Sequence, residues 1–170
     1  MVLAIAFVTC GARAVGDAIA GPPAPPVEVP GVVRVQPAPG WELAAREDDG
    51  AEHRFLLRRG TAGLLVSAIE GFGRPASDVA TSYVRGVLDQ ELARLTVEQP
   101  SEDVVLASGQ PALRFGYVGE TDDGSSVEGV ITVVVPASGN AVVFDGFAAV
   151  GDLAWAIDDL RAMVDGAVVA

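Results

Sequence analysis

Residues 127–149 show the pattern around which the chain is organised: V-E-G-V-I-T-V-V-V-P, a link A-S-G-N, then A-V-V-F-D-G-F-A-A. Both runs are dense in Val, Ile and Phe, the side chains that fit a pleated, packed surface. Pro136, Gly139 and Asn140 supply the backbone angles that a tight connection needs. Few polar residues interrupt either run. The pattern therefore predicts two neighbouring antiparallel strands in mid-sheet, with Ile131, Val133, Val142 and Phe144 buried.

The same reading extends to both sides. Residues 41–46 and 53–58 flank E-D-D-G, a strong hairpin signal, and Gly60 to Gly63 turns the chain into the apolar run 64–69, completing a three-stranded meander. Glycines and Pro75 break the pattern at 71–75. Pro75 suits the first position of a helix, and Ser77 and Asp78 sit near its positive end. Val79, Tyr83, Val84, Val87, Leu88, Leu92 and Leu95 recur every three or four residues, which predicts a helix running to about Arg94. Strands are expected at 104–107 and 111–119, the latter alternating Leu113, Phe115 and Tyr117 with Arg114, Gly116 and Val118. Asp122, Asp123 and Gly124 mark a second acidic hairpin. A terminal helix is expected from Leu153 to about Val168, with Leu153, Ile157, Leu160 and Val164 buried. The order strands, helix, strands, helix predicts an α+β fold, an antiparallel β-sheet covered by helices.

Ahead of this unit lie two segments of different character. Residues 1–20 open with M-V-L-A-I-A-F-V-T-C-G-A, apolar but too short: as a helix it spans roughly 18 Å, against about 30 Å of bilayer hydrocarbon. No basic residue precedes it, so the charge asymmetry of a signal peptide is missing. Phe7 to Cys10 has the outline of a lipoprotein cleavage box that would acylate Cys10, although Phe7 and Thr9 are poor occupants. Three readings stand: the tail of a membrane anchor, a short lipoprotein signal, or an apolar N-terminus on a soluble protein. Residues 21–39 hold most of the chain's eleven prolines and read as an extended linker, with an edge strand at 32–35. A single α+β domain is then expected over 40–170.

Charge and chemistry narrow the function. The net charge is −12 and the pI about 4.3. Every basic residue is Arg, and only Arg54, Arg58 and Arg59 cluster, as one solvated strand face. Nucleic acid needs a positive footprint and is excluded as a partner. Cys10 is the only cysteine, so no intrachain disulfide or thiolate metal cluster can form. His53 is the only histidine and reads as an exposed strand-end residue. The acidic turns do not match a calcium loop, because Gly124 sits where an oxygen ligand belongs. Glu128 and Asp145 fall inside the central strands, where one of them could pair with Arg114 across the sheet. No phosphate-binding glycine loop, nucleophile elbow or catalytic dyad is present. No catalytic residue, metal or cofactor is accordingly expected, and the chain is expected not to be an enzyme. The enzyme alternative requires one pocket that gathers His53, Glu128 and Asp145.

Several features together resemble a known family. Pro39-Gly40-Trp41 opens the meander, a mid-chain helix surrounds Tyr83, and G-Q-P-A-L-R-F-G-Y occupies 109–117. Ala141-Val142-Val143-Phe144 follows, and Gly151-Asp152-Leu153 leads into a final helix around Met163. Over about residues 39–168 this resembles the PsbP-like α/β/α sandwich and is similar to actinobacterial LpqN-type lipoproteins. The resemblance implies a non-enzymatic binding or accessory module of the bacterial cell envelope, membrane-tethered on the extracytoplasmic face, whose partner is a protein or small ligand. A soluble enzyme with an acidic cleft and a cytoplasmic adaptor are the alternatives. If the domain binds, its site is expected on the rim near the meander and the loop before the mid-chain helix, at Trp41, Phe72 and Arg74, since aromatic and Arg side chains most often carry binding energy.

Overall fold

The computed structural model describes residues 24–99 and 101–170; the readings for residues 1–23 lie outside it. In chain order, β1 (Val27–Val29) and β2 (Val33–Val35) precede β3 (Glu42–Asp49), β4 (Glu52–Arg59) and β5 (Ala62–Ile69). Helix α1 (Ala76–Tyr83) continues through a π-helical stretch, Val84–Leu88, into the short α2 (Asp89–Glu91). Then come β6 (Ala93–Val97), β7 (Glu102–Val105), β8 (Pro111–Glu120), β9 (Ser126–Val134) and β10 (Ala141–Ala149). Helix α3 (Leu153–Asp165) and β11 (Val168–Val169) close the chain.

The predicted central pair is β9 and β10, antiparallel neighbours with Val143 opposite Val133 and Asp145 opposite Ile131. They lie within an eight-stranded antiparallel sheet of order β3-β4-β5-β10-β9-β8-β6, in which β7 also pairs with β8. Two-residue hairpins build the meander, with Gly50 and Gly60 in the left-handed region at φ 61° and 59°. The period of two along each strand divides the apolar side chains between two cores. On one face Phe55, Leu57, Leu64, Val66, Val142 and Phe144 pack beneath α3. On the other Leu65, Phe115, Tyr117, Ile131, Val133 and Phe147 pack beneath α1. This is the expected α+β architecture, a sheet covered by helices on both sides.

Three expectations need correction. The strand expected at 32–35 is β2, but it is not an edge and the stretch is not a linker: β1, β2 and β11 form a small antiparallel sheet with β2 at its centre, and Val27, Val29, Val32, Val33 and Val35 are buried in the α3-side core. The packed unit therefore begins at Val27, not at Gly40. Alternating valines supply a face to bury, and proline interrupts only their ends. The mid-chain helix ends at Glu91, not Arg94. Leu92 is extended, at φ −125° and ψ 122°, and a Cβ on Gly119 would come within 2.9 Å of its side chain. Packing against β8 thus captures Leu92 and turns 93–97 into a strand despite its helical spacing. Helix α3 buries Ala156, Leu160, Met163 and Val164, while Leu153 and Ile157 are half-buried.

Candidate functional site

The buried carboxylate of the interior lies on the α1 face. Asp145 is 1 % exposed, and its two carboxylate oxygens each accept one hydrogen bond at 2.9 Å, from the Tyr83 hydroxyl of α1 and the Tyr117 hydroxyl of β8. Tyr117 reaches across β9 because its cross-strand neighbour is Gly129, where a Cβ would come within 2.5 Å of the ring. Burial pushes the Asp145 carboxyl up to about 6, against the pull of its two donors in the other direction. Burial, and then the charge of Asp145, raise both phenols well above their ordinary range. The cluster is satisfied and closed to solvent. It fastens α1 to the sheet and presents no reactive group outward.

Beside it a cleft of about 180 Å³ opens between α1 and strands β4 and β5. Its floor follows from the strand register. Arg54 stands opposite Ser67, which stands opposite Val143, so one rung of the sheet presents a guanidinium, a hydroxyl and an isopropyl group. Val79, Tyr83, Gly86 and Val87 form the helical wall, and Phe72 stands at the mouth. Gly86 and Val87 belong to the π-helical stretch, a departure from α-helix that is frequent at functional sites. Ser67 is 7 % exposed and its Oγ has no hydrogen-bond partner among the described residues. Among the described residues Arg54 meets a carboxylate only at Glu52, 3.7 Å away, beyond hydrogen-bond distance.

The loop at 71–74 is held in place by the β9–β10 connection. Gly71 N donates to Asn140 Oδ1 at 3.1 Å, and Gly73 N to the Gly139 carbonyl at 2.9 Å. Phe72 is half-buried against the α1-side core, and the exposed Arg74 guanidinium lies 5.5 Å from its ring centroid. Trp41 lies elsewhere. It is 2 % exposed in the α3-side core, with its indole N–H donating to Asp159 Oδ2 at 3.0 Å. The structure thus brings Phe72 and Arg74 together and places Trp41 across the sheet from them.

The pocket that the enzyme alternative requires is not assembled. His53 is among the residues along the cleft, but it alternates with Arg54 on β4 and its ring is engaged by acids outside the cleft's polar head. Its Nδ1 lies 2.8 Å from Asp48 Oδ1, and Nε2 lies 3.4 Å from Glu70 Oε1 without hydrogen-bond alignment. The histidine is part-buried, not exposed as the sequence suggested. Glu128 caps α3, its Oε1 accepting from Gly151 N at 2.8 Å and Leu153 N at 3.3 Å. Neither Glu128 nor Asp145 pairs with Arg114, whose guanidinium instead donates to Thr132 and to Asp165. Sequence reasoning missed the cleft residues Arg54 and Ser67. Arg54 read as one of three solvated arginines and Ser67 as one position in an apolar strand, and only the register makes them partners.

No protein-family model matches the chain, and no curated protein matches it. Solved structures do. The solution structure of the cyanobacterial PsbP protein CyanoP from Synechocystis sp. PCC 6803 aligns with a TM-score of 0.62 at 16 % identity, over 95 % of this chain and 98 % of that one. LpqN of Mycobacterium tuberculosis, involved in cell envelope biogenesis, gives a TM-score of 0.54 at 16 % identity, over 86 % and 90 %. The Saccharomyces cerevisiae Ran-binding protein Mog1p gives 0.55 at 13 %, over 85 % and 94 %. The chain has a PsbP-like fold, similar to that of LpqN.

Proposed function

We propose that this chain is a non-enzymatic binding or accessory module that works at the extracytoplasmic face of a bacterial cell envelope, tethered to the membrane through its N-terminal segment. The observation that carries the reading is the contrast between the two polar sites. The buried acid, Asp145, is saturated by Tyr83 and Tyr117, whereas the cleft beside it keeps unspent donors behind an aromatic and cationic rim. A fastened core with a preorganised rim suits capture. The fold supports the same reading at a coarser level, since one neighbour is described as Ran-binding and another as involved in cell envelope biogenesis.

On this reading Phe72 and Arg74 meet the partner, and Trp41 positions the β3 end of the sheet from within the core. Arg74 is exposed, so Arg74→Ala is expected to change stability by no more than about 0.5 kcal/mol while weakening capture of an envelope partner. Phe72→Ala is expected to do the same with a somewhat larger stability loss. The measurement is paired: thermal melting of each purified variant, and photocrosslinking from position 72 in intact cells that express the tagged full-length gene. Crosslinks confined to cytosolic proteins, or a tagged chain shielded from external protease in spheroplasts, would overturn the location. Unaltered crosslinking in both variants would overturn the site.

A further inference from the structure

We infer that the cleft between α1 and strands β4 and β5 is a binding site for a small amphipathic monocarboxylate, held by Arg54 and Ser67 at its head and by Val79, Val87, Val143 and Phe72 along its tail. This deepens the binding-module reading by naming the ligand chemistry of the cleft, and it rests on that reading.

Size is the first constraint. About 180 Å³ is below the range of drug-sized pockets, ~300–1,000 Å³, and equals the liquid share of roughly six water molecules. A small molecule fits, and a folded partner's segment does not. Polarity is the second. Arg54 is part-buried, and its guanidinium carries five N–H donors arranged in a fork that matches a carboxylate. The nearest acid, Glu52, stays at 3.7 Å and is largely exposed, so it screens the charge without occupying the fork. Ser67 faces Arg54 across the β4–β5 pair with its hydroxyl unpartnered. A buried hydroxyl without a partner is costly, and a carboxylate oxygen seated on Arg54 would relieve that cost. Of the other polar residues along the cleft, Tyr83 already donates its proton to Asp145, His53 is engaged by Asp48, and Ser82 is exposed on the helix.

Shape is the third. The helical wall is hollowed at Gly86, where a Cβ would meet nothing within 4 Å. Val79, Val87 and Phe72 line the same cleft, and Val143 stands on the rung of Arg54 and Ser67, so apolar surface adjoins the polar head. An anion with no apolar body would leave this surface uncovered, and an apolar molecule with no anion would leave Arg54 and Ser67 unpaired. A short carboxylate with an alkyl tail satisfies both ends.

Hexanoate is the probe. Calorimetric titration of the purified full chain, followed by amide chemical shifts, is expected to show saturable binding with shifts concentrated at Arg54, Ser67 and Val87. Hexanol and hexylamine are expected to bind at least about tenfold more weakly, since each lacks the charge-assisted pair. Arg54→Gln should lower hexanoate affinity by about tenfold or more. Ser67→Ala should lower it several-fold while leaving the melting temperature unchanged or raised, because the wild-type hydroxyl has no internal partner to lose. Gly86→Leu fills the hollow without backbone strain and should abolish binding in a protein that still melts cooperatively. Equal binding of hexanoate and hexanol, or hexanoate binding insensitive to both Arg54→Gln and Gly86→Leu, overturns the proposal. So does the absence of saturation. Any of these outcomes leaves the Phe72 crosslinking and the cell fractionation untouched, so failure here is distinct from failure of the module reading.

Discussion

Asp145 is the residue at which this fold takes the largest electrostatic risk. A carboxyl group 1 % exposed is held ionised at neutral pH by two phenolic donors, and burial outweighs them enough to lift it to about 6. An aspartate in the unfolded chain releases its proton near 4. Between about pH 4 and pH 6 the folded state therefore binds more protons than the unfolded one. Stability from this group is fully present below about pH 4 and is lost as pH rises to about 6, a loss of roughly 3 kcal/mol. Asp145→Asn removes the titration and keeps one acceptor. The stability difference between variant and wild type should thus move in the variant's favour by a few kcal/mol from pH 4 to pH 7. Urea denaturation across that range measures it, and parallel curves for the two proteins would contradict the assignment. Little of this cluster is visible in the linear sequence. Tyr83 fits an apolar helix stripe and Tyr117 an apolar strand face, and only an acid interrupting V-V-F-D-G-F marks the place. The two donors lie 62 and 28 residues from Asp145 in the chain, a separation that no local periodicity bridges.

At the scale of elements, what was legible followed from period and turn chemistry, and what was not followed from tertiary capture. The alternation in β9 and β10 and the acid-glycine hairpins were readable because each rests on neighbouring residues. The end of the mid-chain helix was not. Leu92 and Leu95 continue the helical spacing, but β8 offers Leu92 a seat over Gly119 and offers residues 93–97 a ladder to join. Arg94 then adopts φ 50°, a conformation that costs a non-glycine residue about 1 kcal/mol, and its guanidinium is tied to Glu120 Oε2 at 2.8 Å. The start of α3 shows the opposite economy. Asp152 precedes the helix but makes no capping bond, and the cap comes instead from Glu128 on β9. A carboxylate there satisfies amides at the positive end of the helix, as a local cap would. Glu128→Ala is expected to cost about 0.5–2 kcal/mol, and Glu128→Gln, which keeps an acceptor, less. Equilibrium unfolding ranks the two. Equal losses would show that the hydrogen bonds contribute little beyond the charge.

For the whole molecule, the decisive step is the return of the last strand, β11, to the small sheet begun by β1 and β2. β11 pairs with β2, β2 with β1, and the Ala170 amide donates to the Val32 carbonyl at 2.9 Å. The Ala170 carbonyl is held in turn by Ser138 at 2.8 Å and Asn140 at 3.2 Å, on the connection that also fixes the loop bearing Phe72. The small sheet thus covers the α3-side core and steadies the rim of the cleft face through one connection. Proline density conceals this in the sequence, because Pro26 and Pro37 bracket the valine alternation, Pro30 interrupts it, and together they make it look like spacer. Burying a valine contributes roughly 1.5–3 kcal/mol, and Val27, Val29, Val32, Val33 and Val35 are each at most 7 % exposed. Their sum rivals the ~5–15 kcal/mol by which a whole domain is stable, even after the entropy of ordering two short strands is subtracted. A chain beginning at Gly40 is therefore expected to lose cooperative unfolding, or to melt far below the parent. One beginning at Ala24 should melt cooperatively and far above the Gly40 chain, and protease should leave 27–39 uncut while the fold holds. Matching melting curves for the two truncations would mean that these valines are dispensable and that the folded unit starts at the meander.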